Sequence, residues 1–342
     1  MSVLLVDGDN LLTIGFYGVK NYFYKGKHIG GIYHFLNTLR KSFETYNLEK
    51  IVVFWDGEEG SKQRKDIYPF YKYNRKTKLK SEEEIDSYNY QRARIQKYLE
   101  EIYVRQGEYK YCETDDNIAF YVQNSPNENK IIYSSDGDLT QLVSPKTQIF
   151  NPSHQKLYNS NDIIIYEHQE VLIENVKMIK MFCGDTSDSI SGIKGFGVKT
   201  FLTLFPELKT TPLNVDYIKE KGNILFEQNK KSKTISNLIT GVTKYGELGD
   251  EFFEINNRIV SLDVPFLTDE AKEDITGLIN EDLDSEGRSY KNTMKMMVED
   301  GLFNVLPKSD DAWIKFLTPF LRLTRKEKNK KLTRTIKINN HE

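Results

Sequence analysis

Residues 3–10 read VLLVDGDN: four apolar residues, Val3 to Val6, run straight into Asp7. The pattern returns at 51–57, where IVVFWDG carries Ile51 to Trp55 into Asp56. It returns again at 131–138, where IIYSSDGD leads from Ile131 to Tyr133 into Ser134, Ser135 and Asp136. Between these runs, residues 32–46 and 85–103 place apolar side chains at helical spacing. Short unbroken apolar strands alternating with such helices predict an α/β fold with a parallel sheet. In sheets of this kind the active crevice lies beyond the carboxyl ends of the strands. Three strands that each deliver an acid to that edge are the first pointer to chemistry.

Composition bounds the rest. With 342 residues, 38% hydrophobic and 29% charged, the chain can build a real core as one large domain or two ordinary ones. A net charge of −2 argues against a nucleic-acid binder only if the charge is evenly spread, and it is not. Residues 61–80, SKQRKDIYPFYKYNRKTKLK, hold eight Lys or Arg, four aromatics and one acid; residues 322–337 hold eight Lys or Arg and one acid. Basic side chains interleaved with Tyr68, Phe70, Tyr71 and Tyr73 suit phosphate contact and base stacking. Cys112 and Cys183 stand in unrelated contexts, so neither a disulfide framework nor zinc spacing follows. The first apolar run is too short for a secretory signal, and no stretch approaches membrane-spanning length. The expectation is a cytoplasmic protein with no membrane partner. GxxxxGK[ST] is absent, so no P-loop nucleotide hydrolysis is implied.

The acids that matter are Asp7, Asp56, Glu113, Asp115, Asp116, Asp136, Asp138, Asp185 and Asp188. A lone Asp at a strand end is ordinarily a turn or cap residue. ETDD at 113–116 can cap a helix starting near Asn117, and 135–138 can be a turn. All of these bland readings would have to hold together. A cleft for hard divalent cations, which take oxygen ligands and keep several waters, explains the set at once. Two ions roughly 4 Å apart can activate an attacking water and stabilise a leaving oxygen. Without metal, acids packed so closely repel; some should have raised pKa values and release protons when metal binds.

The order VDGDN, FWDG, ETDD, SSDGDLTQLV and GDTSD resembles the 5′-nucleases over about the first 205 residues. That family includes flap endonucleases, the 5′-nuclease domain of bacterial DNA polymerase I and phage exonucleases. KDIYPFYKYNR and SSDGDLTQLVSPKTQIFNPSHQKLY are most similar to its phage ribonuclease H branch. The resemblance implies a PIN-like nuclease domain over 1–168, with a helical arch at about 61–105. It implies a helix-three-turn-helix DNA-binding region over 169–270, then an accessory helical segment and basic tail over 271–342.

The resemblance also implies residue roles. Asp7, Asp56, Glu113 and Asp136 would face a first Mg²⁺, and Asp138, Asp185 and Asp188 a second, with Asp115 and Asp116 near or between them; Mn²⁺ can substitute. Asp9 stands where relatives often carry another small polar residue and is left out, and Ser189 stands where they often have Asn. Lys72 and Arg75 of YKYNR match the arch base that reaches the scissile phosphate, where their charge would stabilise the transition state. Arg64, Lys65 and Tyr71 are further substrate-binding candidates. Gly192, Gly195, Gly197, Lys199 and Thr200 of GIKGFGVKT would grip the duplex backbone without reading sequence, and relatives often hold a monovalent cation such as K⁺ in that turn.

The implied activity is phosphodiester hydrolysis near 5′ ends or flaps of DNA or RNA–DNA duplexes. The task would be removing primers or flaps in phage replication, in the cytoplasm of an infected bacterium. A monomer is expected, with replication proteins such as a single-stranded-DNA-binding protein or sliding clamp as partners. Two other readings compete. A non-cleaving relative that binds branched DNA is disfavoured by the complete acid set. A PIN-type ribonuclease on free RNA is disfavoured by GDTSD followed by the glycine turn.

Overall fold

The computed structural model describes residues 2–74, 81–244, 246–247, 249–281, 283, 288–306 and 311–323. Arg75 and the basic run beyond residue 323 lie outside the described residues. Strand β1 (Ser2–Asp7) leads into α1 (Gly8–Gly18); a short hairpin, β2 (Phe23–Tyr24) and β3 (Lys27–His28), turns the chain into α2 (Gly30–Thr45). Next come β4 (Leu48–Trp55), α3 (Lys62–Ile67), α4 (Glu82–Glu101) and β5 (Arg105–Glu108). Helix α5 (Thr114–Asn124), β6 (Asn129–Tyr133), β7 (Thr147–Asn151) and β8 (Lys156–Tyr158) complete this part.

The main sheet has the order β5-β4-β1-β6-β7-β8, parallel except for the β7–β8 pair. The chain builds outward from β1 through β4 to β5, then returns to the other side of β1 with β6. That reversal splays the connections apart and opens a crevice at the carboxyl ends of β1 and β6. The apolar runs form central strands because both faces are covered. Leu4, Val6, Val53, Trp55 and Ile131 pack under α1, α2 and α4 with Leu12, Phe35 and Ile95. Their alternates, Val3, Leu5, Val52, Phe54 and Ile132, pack under α5 with Ile118 and Tyr121.

Beyond the sheet, hairpin β9 (Ile163–Tyr166)–β10 (Gln169–Leu172) precedes α6 (Val176–Cys183). The two-residue strands β11 (Gly184–Asp185) and β12 (Ile190–Ser191) pair between α6 and α7 (Val198–Leu204). With α8 (Val215–Gln228), α9 (Lys233–Thr240) and α10 (Asp250–Val260), these helices enclose a core around Phe182, Phe201, Phe205 and Phe252. Helix α11 (Asp269–Asn280) then returns to the sheet and buries Ala271 and Ile275 beside α5. Its last carbonyls have no helical partner. Buried Lys50 donates to Ile279 O at 2.8 Å and buried Arg105 to Leu278 O at 3.3 Å.

Helix α12 (Tyr290–Glu299) and a helix at 312–323 add Met297, Phe316 and Phe320 to the core that holds β1 and α2. Buried Asp300 accepts from Tyr90 Oη, Tyr98 Oη and Arg94 Nε, each at 2.9 Å, and so fastens α4 to this layer. No helix among the described residues is long and apolar enough to cross a membrane.

Candidate metal centre

Asp7 closes β1 and opens α1. Its Oδ1 accepts Asn10 N at 3.0 Å as an N-cap, and its Oδ2 accepts Ser134 Oγ at 2.9 Å. Ser134 Oγ in turn accepts Asp136 N at 3.0 Å. Asn10 Nδ2 donates to Ser135 Oγ at 2.9 Å, and Ser135 N donates to Asn10 Oδ1 at 3.1 Å. The ends of β1 and β6 are thus laced together, and the acids they carry face one crevice. Burial, with Asp56 and Asp136 beside it, pushes the Asp7 carboxyl up to about 8, against the pull of its two donors. Asp56, just past β4, accepts Thr114 N at 2.8 Å, and burial first, then the charge of Asp9, raises its carboxyl against the pull of that donor.

Asp115 enters on the first turn of α5. Carboxylate oxygens of Asp115, Asp136 and Asp138 lie within 4.8 Å of one another. Burial and the charges of Asp136, Asp138 and Asp7 hold the Asp115 carboxyl well above the usual carboxylate range. Asp138 is raised as well, by burial first, with Lys180 pulling against it. Lys180 Nζ lies 2.6 Å from Asp138 Oδ1 and 2.9 Å from Asp185 Oδ2, joining the β6 end to the GDTSD turn. Burial would raise Asp185, but Lys180 and the Ser187 hydroxyl, 2.6 Å away, outweigh it and hold this carboxyl low. Asp188 is buried and lines a small cavity with Asp115 and Asp138. Ser134, Asn10 and Lys180 were not singled out in the sequence. Lys180 had a readable signal, a lone charge inside the apolar helix run MIKMFC.

Segment 61–74 departs from expectation. Arg64 is buried, not presented to substrate: Nη1 and Nη2 clasp Asp116 at 2.5 and 3.0 Å, Nη1 meets Glu113 at 2.8 Å, and Nε donates to Ile259 O at 3.0 Å. Helix α3 turns Arg64 inward because two buried acids await it, while Lys62 pairs with Asp66 outside at 2.7 Å. Asp116 is correspondingly engaged by Arg64 and by Phe266 N, 3.0 Å away, as Glu113 is by Arg64, Tyr71 and Lys72. Tyr71 is also buried, its hydroxyl donating to Glu113 Oε2 at 3.2 Å, which removes it as a stacking surface. The outward aromatics are Phe70 and Tyr73, 62% and 59% exposed. Lys65 sits half-buried at the surface.

Lys72 pairs with Glu113 through Nζ. Burial would raise Glu113, but Lys72 and then Arg64 overcome it and hold this carboxyl low. Lys72 has φ 56°, an unusual backbone for a residue with a Cβ. That conformation lets Lys72 N donate to Asp188 O at 2.8 Å, while Asn74 N donates to Ser189 Oγ at 3.2 Å. The GDTSD turn therefore holds residues 72–74 directly.

In the glycine turn, Gly192 is buried against Cys183, whose backbone a Cβ would strike. It is a packing glycine, which corrects its expected role in phosphate contact. Gly195, with φ 77°, is exposed, as are Gly197 and Lys199; Thr200 is half-buried.

The model of the 5′–3′ exonuclease N-terminal resolvase-like domain matches residues 2–174. The chain belongs to the 5′–3′ exonuclease family. A 5′–3′ exonuclease of Mycoplasmopsis pulmonis is 30% identical over 229 residues, spanning 67% of this chain and 74% of that protein. One from Bacillus subtilis is 28% identical over 250 residues, 69% of this chain and 80% of the other. Among solved structures, the bacteriophage T5 5′-exonuclease with bound zinc aligns at TM-score 0.56 and 21% identity, over 88% of this chain and 99% of that one. A T5 flap endonuclease pseudo-enzyme–product complex with DNA and metal ions aligns at TM-score 0.57 and 20% identity, over 95% of this chain and 100% of that one. These structures share the fold, a central parallel sheet in an α/β, PIN-like frame. This 5′–3′ exonuclease family member is thus a nuclease, a hydrolase with a metal-binding acidic cluster at its strand ends.

Proposed function

We propose that this nuclease is a structure-specific 5′-nuclease that hydrolyses phosphodiester bonds near 5′ ends of DNA or RNA–DNA duplexes with two divalent ions. The observation that carries the reading is the crowding of Asp7, Asp115, Asp136 and Asp138 in one buried crevice, where burial first and then their mutual charge hold the Asp7 and Asp115 carboxyls well above the usual carboxylate range. Buried acids at this density become carboxylates together only with counter-cations. An all-oxygen donor set fits Mg²⁺, with Mn²⁺ as a substitute. Asp7, Asp56, Asp115 and Asp136 would hold one ion, with Glu113 and Asp116, engaged by Arg64, acting on it through water, and Asp138, Asp185 and Asp188 would hold the other. When bound, such ions supply Lewis-acid activation of water and neutralisation of the phosphodiester.

The chain's own residues do the rest. Lys72, at the mouth of the cleft, offers positive charge to the scissile phosphate. Lys180 neutralises Asp138 and Asp185 and keeps them close. Phe70 and Tyr73 present faces for unpaired bases beside the cleft. Helices α6 and α7 with the turn between them would act as the helix-three-turn-helix, and Lys194, Gly195, Gly197 and Lys199, all exposed, would meet the duplex backbone. Removal of primers or flaps in replication is the task that fits this chemistry.

Product mapping on a labelled 5′-flap, a nicked duplex and an RNA–DNA hybrid, each with Mg²⁺ and with chelator, tests the reading. Metal-dependent cuts near the 5′ end are expected. Cleavage of free single-stranded RNA alone, or no cleavage with metal, would overturn it.

A further inference from the structure

Asp9 is the acid of VDGDN outside the proposed metal set, and the fold gives it another task. Asp56 lies where β4 leaves the sheet. Its N–H donates to Asp9 Oδ2 at 2.9 Å, and its carbonyl accepts Arg92 Nη2 at 3.0 Å. Asp9 and Arg92 are themselves joined, Arg92 Nε to Asp9 Oδ1 at 2.9 Å. One ion pair therefore grips both backbone polar groups of Asp56, while Thr114 N steadies its carboxylate at 2.8 Å.

The guanidinium is itself held on several sides. Its Nη1 donates to both Glu108 oxygens at 3.1 and 3.2 Å, and it lies 5.0 Å from the Trp55 ring centroid. One turn earlier on α4, Tyr88 Oη donates to Asp9 O at 3.2 Å. The far side of α4 is fixed at Asp300 by Arg94 and Tyr98. Arg92 thus projects from a braced helix. Unpaired, the Asp9 carboxylate would stand as one more negative charge beside Asp56.

We infer that Arg92 and Asp9 are a positioning pair that sets the place of Asp56 at the metal cleft. The inference rests on the proposed metal-dependent nuclease reading. A planar, three-nitrogen fork is required, because Asp9, Glu108 and the Asp56 carbonyl are engaged at once; a lysine offers one point charge on a flexible stem. Partners that orient a metal-ligating residue typically matter by about 10–100-fold in metal affinity or activity.

The test measures Mn²⁺ binding by calorimetry, DNA affinity in non-cleaving Ca²⁺, and kcat and KM with Mg²⁺. Variants are Arg92→Ala, Arg92→Lys, Asp9→Asn and the Asp9→Asn/Arg92→Ala double. Arg92→Ala should weaken the first Mn²⁺ and lower kcat, each by about tenfold, with DNA affinity unchanged within about twofold. Arg92→Lys should regain thermal stability without regaining Mn²⁺ affinity. The double variant should be no worse than Arg92→Ala, since both changes cut one linkage. If Arg92→Ala does not fold, Arg92→Lys carries the same readouts. Folded single variants that bind Mn²⁺ within about twofold of the unmodified protein would overturn the inference, as would fully additive losses. An unmodified protein that binds Mn²⁺ yet cuts no nucleic acid would refute the nuclease reading and leave the positioning result standing. One that binds no Mn²⁺ would overturn both.

Discussion

Replacing Asp7 by Asn should make the metal-free protein more stable at high pH while removing its response to metal. The folded carboxyl sits at about 8 and the ordinary value is 3.8, so between them the folded state binds the extra proton. Stability is then highest below the lower value and falls as pH rises toward the upper one. At about 1.4 kcal/mol per pH unit, this group alone removes up to roughly 4 kcal/mol between about pH 5 and about pH 8. Local relaxation and water entry reduce that figure, so about 2–4 kcal/mol is expected. An Asn at position 7 cannot ionise yet still caps α1 well, because its side-chain oxygen can accept from Asn10 N. Urea denaturation with chelator across this pH range, repeated with Mg²⁺, reads the effect. Unmodified protein should lose stability with rising pH and recover it with Mg²⁺. Asp7→Asn should show a shallower loss, with the remainder due to Asp56, Asp115, Asp116 and Asp138, and little recovery. Equal pH slopes in the two proteins would refute the reasoning.

Three further outcomes are expected. Asp136→Asn should abolish cleavage and keep DNA binding, since it removes a proposed metal ligand from the acid cluster; full activity in a nicking assay would remove Asp136 from the site. Arg64→Ala should destabilise the fold by about 3–5 kcal/mol in urea, because it leaves buried Asp116 without its cation and Glu113 with Lys72 alone; a loss below about 1 kcal/mol would show the acids are satisfied otherwise. Lys199→Ala should weaken duplex binding alike on different sequences and lower the salt slope by about 1. Unchanged affinity across salt concentrations would exclude a phosphate contact there.

The strands that matter were legible because each is a local pattern. Val3–Val6, Ile51–Trp55 and Ile131–Tyr133 are apolar runs ended by acids, and β1, β4 and β6 fall on them. Helices α2 and α4 fall on the spacing at 32–46 and 85–103. The hairpin of β9 and β10 went unread although Ile163 to Tyr166 is a β-branched run; its alternation shows only in the fold, where Ile164 and Val171 are buried while Ile163 and Ile165 are exposed. Arg64 and Tyr71 were misplaced because neither a short basic helix nor the turn after it says which side it buries. Two acids more than forty residues later in the chain turned that side inward.

The sequence by itself therefore determined the α/β frame and the inventory of acids at strand ends and helix starts, because hydrophobic periodicity and chain breaks are local properties. Tertiary structure alone decided which acids share the cleft and which cation each one meets. Asp115 joins Asp136 and Asp138, Asp116 goes to Arg64, Asp9 to Arg92, and Asp138 and Asp185 to Lys180. Those pairings depend on distances between groups far apart in the chain, and the order of the strands and the packed faces of α3, α4 and α6 set those distances.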